Sequence, residues 1–393
     1  MAEIRAADEY GDGVSWFRGS IIGKGAFGTV YSATLKNPTS KYSSFPSLMA
    51  VKSAEVSLSG SIQKEREILG NVRGCPYIIR CFGEETTVGA SGAMVYNLLL
   101  EYGSGGTLAG RIRASNGGRG LPEHEVRSIT RSILKGLSHI HGLGYVHCDL
   151  KPSNILLVNG GSQFRAKIGD FGQARRAGRS RKRKLGAYWR GTPMYLSPEA
   201  VLENEQEGPS DLWALGCIVL EMLTGKPPWA TPEKESSAKE IVARVGLGRE
   251  VPWVPAGLSK EARDFLKGCF VRKPEFRLTA EMLLNHPFVE GLDAEDDGDD
   301  EVDEVEDVDE LESILLVSDS DDELVTFDLS GYWSGDENEI IMSNISEERE
   351  LKVIENGGLR GSEVDVEFDR PNKKLKEIRS QVYPVSFKVP AGV

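Results

Sequence analysis

The chain has few cysteines and no long hydrophobic run. Its 393 residues include only five cysteines, and their spacing is neither that of paired disulfides nor that of zinc ligands. They are Cys75, Cys81, Cys148, Cys217 and Cys269. No stretch approaches the length of a membrane span, and residues 1–14 lack the apolar segment of a secretory signal. We therefore expect reduced thiols in a cytoplasmic protein, with the nucleus as a second compartment, and no membrane partner.

Basic residues are scarce in the last quarter of the chain. From Glu290 onward there are 9 Lys and Arg against 32 Asp and Glu, a net charge of −23, whereas the whole chain carries −13. The run from Asp293 to Glu323 has no basic residue at all, and such a run repels itself and stays unfolded. We expect a flexible N-terminus at 1–14, one folded domain at 15–289 and an acidic, largely disordered tail at 290–393.

One short segment concentrates the groups that phosphoryl transfer requires. The sequence H-C-D-L-K-P-S-N runs from His147 to Asn154, and D-F-G begins at Asp170, sixteen residues further on. Phosphoryl transfer needs little covalent chemistry from a protein, which must instead orient a hydroxyl, hold the phosphates and neutralise charge with a metal ion. Asp149, Asn154 and Asp170 are suitable donors. The segment therefore predicts ATP-dependent phosphoryl transfer.

A glycine-rich turn lies upstream of this segment. Gly23, Gly25 and Gly28 occur in G-K-G-A-F-G-T-V between two apolar stretches, and glycines allow backbone amides to close over phosphates. A dinucleotide-binding fold would require a helix directly after the glycines. Val30 and Tyr31 continue a strand instead, so the pattern predicts a strand, a tight turn and a second strand.

A lysine and a glutamate follow at the spacing of an ion pair in a phosphate site. Lys52 ends the apolar stretch M-A-V-K, and residues 61–72 have apolar positions at helical spacing. Glu65 is the favoured partner of Lys52, because it lies three residues before Ile68 and on a different helix face from Glu67. Glu67 remains the alternative.

These motifs, in this order, resemble the eukaryotic protein kinase family from about Trp16 to Val289. The resemblance implies an α+β, two-lobed fold, with an antiparallel β-sheet and one helix in the N-terminal lobe and a mainly helical C-terminal lobe. ATP would bind between the lobes. We expect connecting loops at 37–47 and 86–91.

The resemblance also implies roles for individual residues, with ATP and Mg²⁺ as cofactors. Asp149 would accept the proton of the substrate hydroxyl, Lys151 would stabilise the transferring phosphate, and Thr192 would support both. Asn154 and Asp170 would hold Mg²⁺. The expected ATP-binding residues are Ile22, Gly23, Lys24, Gly25, Gly28, Val30, Ala50, Lys52, Leu100, Glu101 and Gly103, with Leu100 as gate and 101–103 as hinge.

Further residues resemble structural positions of the family. Glu199 is expected to pair with Arg277 deep in the large lobe. Asp211 and Trp213 are expected to steady the catalytic loop from a buried helix. Substitutions at these four positions should destabilise the fold before they slow phosphoryl transfer.

The D-L-K of the catalytic loop and G-T-P at Gly191 resemble serine/threonine kinases. The segment G-T-P-M-Y-L-S-P-E resembles plant MAP kinase kinase kinases of the small MEKK-like group, although Y-L-S-P-E stands where that group usually has W-M-A-P-E. The resemblance implies MAP kinase kinases as substrates, in stress or hormone signalling. Another serine/threonine kinase branch, or a kinase-shaped scaffold with dispensable catalysis, are the alternatives.

Cys148 stands where kinases usually have an arginine that captures a phosphate on the activation loop. Between Asp170 and Thr192, hydroxyl groups occur only on Ser180 and Tyr188. The basic residues there are Arg175, Arg176, Arg179, Arg181, Lys182, Arg183, Lys184 and Arg190. We hypothesise that loop phosphorylation is not the switch and that an anionic group controls the loop. A solvated surface or a nuclear-import signal are equally open interpretations.

The acidic tail supplies one candidate for such an anionic group. It contains short apolar islands, such as 311–317, and this alternation is typical of docking motifs. The tail could fold back on the basic activation loop as a brake, recruit a partner, or serve only as a solvating segment. Nucleic acid is not an expected partner, because the loop has only Tyr188 and Trp189 for stacking and the chain is acidic. Cys148 is the thiol we expect to be most exposed to oxidation.

Overall fold

The computed structural model describes residues 10–36, 46–115, 118–159, 164–178, 190–230 and 237–291. The strands are β1 (Trp16–Gly25), β2 (Gly28–Leu35), β3 (Leu48–Glu55), β4 (Cys81–Val88), β5 (Met94–Glu101), β6 (Tyr145–Val146), β7 (Ile155–Asn159), β8 (Phe164–Ile168) and β9 (Arg175–Arg176). The α-helices are α1 (Gly60–Asn71), α2 (Leu108–Arg113), α3 (Glu123–Gly142), α4 (Pro198–Glu203), α5 (Gly208–Thr224), α6 (Ala238–Val245), α7 (Lys260–Cys269) and α8 (Ala280–Leu284). Predictions about the acidic tail and about Ser180, Tyr188 and residues 179–189 lie outside the described residues.

The N-terminal lobe is an antiparallel sheet with strand order β1-β2-β3-β5-β4. Strand residues alternate between its two faces. Ala50 and Ala54 pack toward α1, whereas Met49 and Val51 belong to a second core on the opposite face. Helix α1 is the α-helix that the structure describes in this lobe. The predicted lobe with one helix is confirmed.

Residues 10–14 of the segment predicted to be flexible contact the outer face of this sheet, while residues 1–9 are not described. The buried side chain of Arg18 joins residues 10–14 to the sheet. Its Nε donates to Gly11 O at 2.8 Å, its Nη1 to Ser53 Oγ at 2.8 Å and its Nη2 to Asn97 Oδ1 at 2.7 Å. A buried guanidinium requires such acceptors, since unpaired burial of a charge is costly.

The C-terminal lobe is built around α5. Thirteen of its 17 residues are buried, as expected for a helix that is apolar on nearly all sides. Gly225 ends the helix in the left-handed region at φ 68°, where glycine carries no Cβ penalty. The mainly helical character predicted for this lobe is confirmed.

Helix α3 packs on the same core through apolar residues that recur at helical spacing. All of them are buried: Val126, Ile129, Ile133, Leu134, Leu137 and Ile140. No helix that the structure describes is both long and apolar enough to cross a membrane.

The loop predicted at 86–91 is wrong in its first half, because β4 extends to Val88. Thr86 and Thr87 are β-branched and pair with Tyr96 and Val95 of β5, which stabilises a strand. In the other loop predicted, at 37–47, residues 37–45 lie outside the described part of the chain.

Candidate active site

Three side chains meet at the centre of the catalytic loop. Thr192 Oγ1 donates to Asp149 Oδ1 at 2.8 Å, and Lys151 Nζ donates to Asp149 Oδ2 at 2.8 Å and to Thr192 Oγ1 at 3.0 Å. The Asp149 residue is 8% exposed. A carboxylate fixed in this way can accept a proton from an incoming hydroxyl, while the neighbouring ammonium neutralises charge.

Asp211 in α5 holds the start of the catalytic loop, residues 147–154. Its carboxylate accepts hydrogen bonds from the backbone amides of His147 at 2.9 Å and Cys148 at 3.1 Å, and it lies 2.9 Å from His141 Nε2. Burial alone would raise the pKa of Asp211, but these hydrogen bonds and the two histidines lower it. Cys148 has φ 66°, a conformation that costs a non-glycine residue about 1–3 kcal/mol and persists only where the surroundings impose it.

Trp213 is fully buried but does not contact the catalytic loop through its indole nitrogen. Its Nε1 has no hydrogen-bond partner in the described part of the chain, and its ring stacks on the Arg277 guanidinium, 5.3 Å from the centroid. It therefore supports the pair that Arg277 makes with Glu199.

Lys52 connects α1 to the D-F-G segment. Its Nζ lies 2.6 Å from Glu65 Oε2 and 2.8 Å from Asp170 Oδ1, and the Phe171 amide donates to Glu65 Oε1 at 3.1 Å. Burial alone would lower the pKa of Lys52, but the two carboxylates outweigh it and raise the pKa, while the ammonium lowers the pKa of Asp170. Glu65 is buried and Glu67 is exposed, so the helix face that the sequence favoured is the one that pairs.

The two predicted metal ligands offer suitable oxygen atoms. Asn154 Nδ2 donates to Asp149 O at 2.9 Å, which leaves the amide oxygen as an acceptor, and the Asp170 side chain is 34% exposed. Mg²⁺ is usually held by one or two protein oxygens together with substrate phosphates and water. The donor set fits a divalent cation of this kind. Among the described residues there is no cluster of three His, Cys, Asp or Glu that would bind a metal without such help.

The predicted ATP-binding residues lie in four adjacent strands and in the segment that follows β5. Ile22, Gly23, Lys24 and Gly25 lie in β1, Gly28 and Val30 in β2, Ala50 and Lys52 in β3, Leu100 and Glu101 in β5, and Gly103 follows β5. Ala50 pairs with Leu100 and Val30 pairs with Lys52, so these side chains share one face of the sheet. Ile22 and Lys24 are exposed, and their contact with ATP stays a prediction.

Gly28 is the one glycine of the loop for which another residue is sterically excluded. It has φ 146°, and a Cβ there would lie 2.6 Å from Ser53 O. Comparable atoms at Gly23 and Gly25 would lie 3.9 Å from their nearest neighbours. The latter two positions leave open space in front of the backbone, where a phosphate can approach.

Two residues near the hinge were not predicted from the sequence. Leu156 lies between the hinge and the D-F-G segment, since its side chain would be 3.4 Å from a Cβ at Gly103 and 3.5 Å from one at Gly169. Lys167 Nζ donates to both carboxylate oxygens of Glu101, at 2.8 and 3.0 Å. The position of Leu156, two residues after Asn154, was a usable signal, whereas nothing local indicated Lys167.

Comparison with known proteins identifies the family to which this site belongs. A family model described as "Protein kinase domain" matches residues 16–289. The chain belongs to the protein kinase family. The match includes the glycine loop, Lys52, Asp149 and Asp170. A protein kinase uses ATP and a divalent metal ion.

Several curated relatives narrow the family. Mitogen-activated protein kinase kinase kinase 20 of Arabidopsis thaliana is 47% identical over 285 residues, which are 72% of this chain and 80% of that protein. The Arabidopsis kinases numbered 17 and 18 are 41% and 37% identical, over 70% and 72% of this chain and 70% and 79% of their own lengths. This protein is a serine/threonine protein kinase of the MAP kinase kinase kinase family.

The unusual Y-L-S-P-E segment of this kinase has a physical explanation at Tyr195. Its hydroxyl donates to Glu221 Oε2 at 2.8 Å, so a half-buried carboxyl in α5 receives a donor. Burial and the adjacent carboxylate raise the pKa of Tyr195, which keeps the phenol protonated as that donor. Glu221 was not predicted as a partner, because 26 residues separate the two positions.

Cys148 is not a reactive thiol in this structure, contrary to our expectation. The residue is 6% exposed, its thiol lies 3.7 Å from Val146 O, and burial together with Asp211 raises the pKa of Cys148 to about 12. The thiolate is the form that reacts with oxidants and alkylating agents. The surroundings of Cys148 therefore protect it.

Alkylation of the native kinase at pH 7.5 is expected to leave Cys148 unmodified. Iodoacetamide followed by peptide mass mapping should modify this residue only after unfolding in urea, because unfolding restores solvent access and an ordinary pKa. Cys217 and Cys269, which are also buried, serve as internal references for protected thiols. Modification of Cys148 in the native protein at the rate of an exposed thiol would contradict the prediction.

Proposed function

We propose that this kinase phosphorylates MAP kinase kinases on serine or threonine, in a stress or hormone signalling cascade, and that Mg²⁺ is its metal ion. The observation that carries the proposal is the similarity to mitogen-activated protein kinase kinase kinase 20, which extends over 80% of that protein. The name of that relative describes a kinase that acts on MAP kinase kinases. The donor set at Asn154 and Asp170 supports Mg²⁺.

We propose the following division of work among the residues of the site. Asp149 accepts the proton of the substrate hydroxyl, which it can do because Lys151 and Thr192 occupy one position each on its two oxygens. Lys151 then lies beside the transferring phosphate. Lys52, held by Glu65, binds the α- and β-phosphates of ATP. When bound, Mg²⁺ neutralises the charge that develops on the phosphate oxygens.

The test is transfer of labelled phosphate from ATP to catalytically inactive MAP kinase kinases, with a generic acceptor protein in parallel. Asp149→Asn supplies the control for a contaminating kinase. Labelling of the MAP kinase kinases that disappears in Asp149→Asn supports the proposal. Labelling of the generic acceptor alone would retain the kinase and refute its substrates.

A kinase-shaped scaffold is the second candidate function. It is disfavoured by the assembled Lys52–Glu65 and Asp149–Lys151 pairs, because a scaffold has no need of these buried ionic contacts. Absence of transfer to every acceptor, with a folded protein, would favour it.

The tail is proposed to restrain the kinase or to recruit a partner, on the basis of its net charge of −23. A truncation to residues 1–290 separates these roles. A brake predicts faster phosphorylation of a short peptide after truncation, with a gain that shrinks at high salt. A docking segment predicts unchanged peptide phosphorylation and slower phosphorylation of the protein substrate.

We propose a cytoplasmic location, with the nucleus as second compartment. The five cysteines are free thiols, which is typical of reducing compartments. Fractionation of cells that express the full chain with a tag tests this.

A further inference from the structure

The two ends of the activation segment, residues 170–192, contact two neighbouring residues, Gln206 and Glu207, which lie between α4 and α5. The departing end, at residues 175–178, makes hydrogen bonds to the Gln206 carbonyl oxygen and to the Glu207 carboxylate. The returning end, at Arg190 directly before G-T-P, makes hydrogen bonds to the Gln206 side chain. Neither residue was predicted from the sequence to have a role.

Gln206 holds the returning end through both parts of its amide. The Arg190 backbone N donates to Gln206 Oε1 at 3.0 Å, and Gln206 Nε2 donates to Arg190 O at 2.8 Å. Gln206 is 6% exposed, so these two bonds form largely away from water. Loss of either would leave a buried polar group without its partner, which costs more than the bond itself contributes.

Glu207 holds the departing end through its carboxylate. Arg175 Nη2 lies 2.9 Å from Glu207 Oε1, and the Gly178 amide donates to Glu207 Oε2 at 3.1 Å. Arg175 also donates to the carbonyl oxygen of Gln206. Its side chain is 15% exposed, so the pair is only partly screened by solvent. Glu207 therefore supplies a fixed negative charge to the basic activation segment.

Both anchored ends contact residues in or next to the catalytic loop, residues 147–154. Arg175 pairs with Val146 in the short sheet of β6 and β9, one residue before His147. On the other side, Gly191 packs so closely that a Cβ would lie 2.4 Å from Cys148 O. The next residue is Thr192, whose hydroxyl donates to Asp149. A displacement of either end would thus move the groups around the catalytic carboxylate.

We propose that Gln206 and Glu207 form a clamp that holds the activation segment in its catalytic arrangement without a phosphate group. They are positioning residues, because they act through Arg190 and Arg175 and not on the substrate. Cys148 cannot bind a phosphate as arginine does, and the clamp supplies protein groups in place of that contact. The inference concerns phosphoryl transfer itself and does not depend on which protein is the substrate.

The first arm of the test measures kinetics with a generic acceptor. Gln206→Ala and Glu207→Gln are each expected to lower kcat/KM for the acceptor by roughly tenfold, and the double variant by roughly 10²-fold, from the hydrogen bonds lost. KM for ATP should change by less than about twofold, since Lys52 and Glu65 are untouched. Glu207→Asp, which retains the charge, should lower kcat/KM by less than Glu207→Gln does. Glu203→Gln, an equal charge change on the exposed surface of α4, should leave both constants unchanged.

The second arm does not depend on activity. Hydrogen–deuterium exchange should be faster in peptides that contain Gly178 in Glu207→Gln and in peptides that contain Arg190 in Gln206→Ala. Exchange within α5 should remain that of the parent, and the thermal midpoint should fall by no more than the few degrees that the lost hydrogen bonds cost. If Gln206→Ala does not fold, Gln206→Glu, which removes the donor to Arg190 O, replaces it.

The third arm tests the absence of phosphate. Phosphatase-treated parent kinase, shown by mass spectrometry to be unphosphorylated, should retain its kcat. Loss of activity after this treatment would overturn the proposal, even if the kinase and its substrates are correctly identified. Unchanged kinetics and exchange in the double clamp variant would also overturn it.

Discussion

Replacement of Asp149 by asparagine is expected to lower kcat by about 10²- to 10⁴-fold, the usual contribution of a general base. The variant keeps the size of the side chain but cannot accept a proton at neutral pH. Asparagine also places an NH₂ group toward either the Lys151 ammonium or the Thr192 hydroxyl, both of which donate to Asp149 at 2.8 Å. The measurement is initial velocity of phosphate transfer at saturating ATP and acceptor.

Two controls distinguish loss of the base from loss of the loop. ATP affinity, measured by titration, should remain within about threefold of the parent, because the Lys52 side of the site is unchanged. Thr192→Ser retains the hydroxyl and should cost far less than Thr192→Val, which removes the donor to Asp149. Full activity of Asp149→Asn would show that another group accepts the proton.

The chemistry of the site could be predicted because its donors are close together along the chain. Asp149, Lys151 and Asn154 lie within six residues, and the structure brings Thr192 to the first two. Glu65 could be separated from Glu67 because a helix has only two relevant faces here, and one of them is buried. The order and spacing of these motifs also carry the resemblance to protein kinases, which implied the roles of Lys151 and Thr192.

Contacts between distant segments could not be predicted in the same way. The bonds of Arg18 to Asn97 and of Glu101 to Lys167 join residues 79 and 66 positions apart, and no periodicity indicates which polar groups will meet. The clamp residues Gln206 and Glu207 are ordinary surface types in sequence. Only their hydrogen bonds to Arg175, Gly178 and Arg190 distinguish them from other surface residues.

Cys148 shows a third limit of sequence reasoning. The sequence reveals that an arginine is missing, which is a statement about phosphate binding. The reactivity of the thiol depends on its burial and on Asp211, which lies 63 residues away in the chain and also raises the pKa of Cys148. The burial of Cys148 therefore contradicts its predicted reactivity. It does not affect the prediction that Cys148 cannot bind a phosphate.

Removal of Arg277 is expected to have the largest effect on stability. Its side chain is fully buried and donates to both carboxylate oxygens of Glu199 at 2.7 and 2.9 Å. It also donates to the carbonyl oxygens of Pro209 at 2.6 Å and Val271 at 2.9 Å, which ties the start of α5 to the segment before α8. Arg277→Leu would leave the Glu199 charge buried and several carbonyls unpaired. Removal of one partner from such a pair costs about 3–5 kcal/mol.

A loss of that size is a third or more of the free energy of unfolding of many domains, so Arg277→Leu should show a much lower thermal midpoint and urea midpoint. Glu199→Leu should be similarly unstable, and the double variant should lose less than the sum, because no unpaired charge remains. Lys273→Leu removes an exposed cation nearby and should change stability by less than about 1 kcal/mol. At a temperature where Arg277→Leu is folded, kcat should be close to the parent value, since Asp149 and Lys52 are untouched. Normal stability with lost activity would instead assign Arg277 a direct part in catalysis.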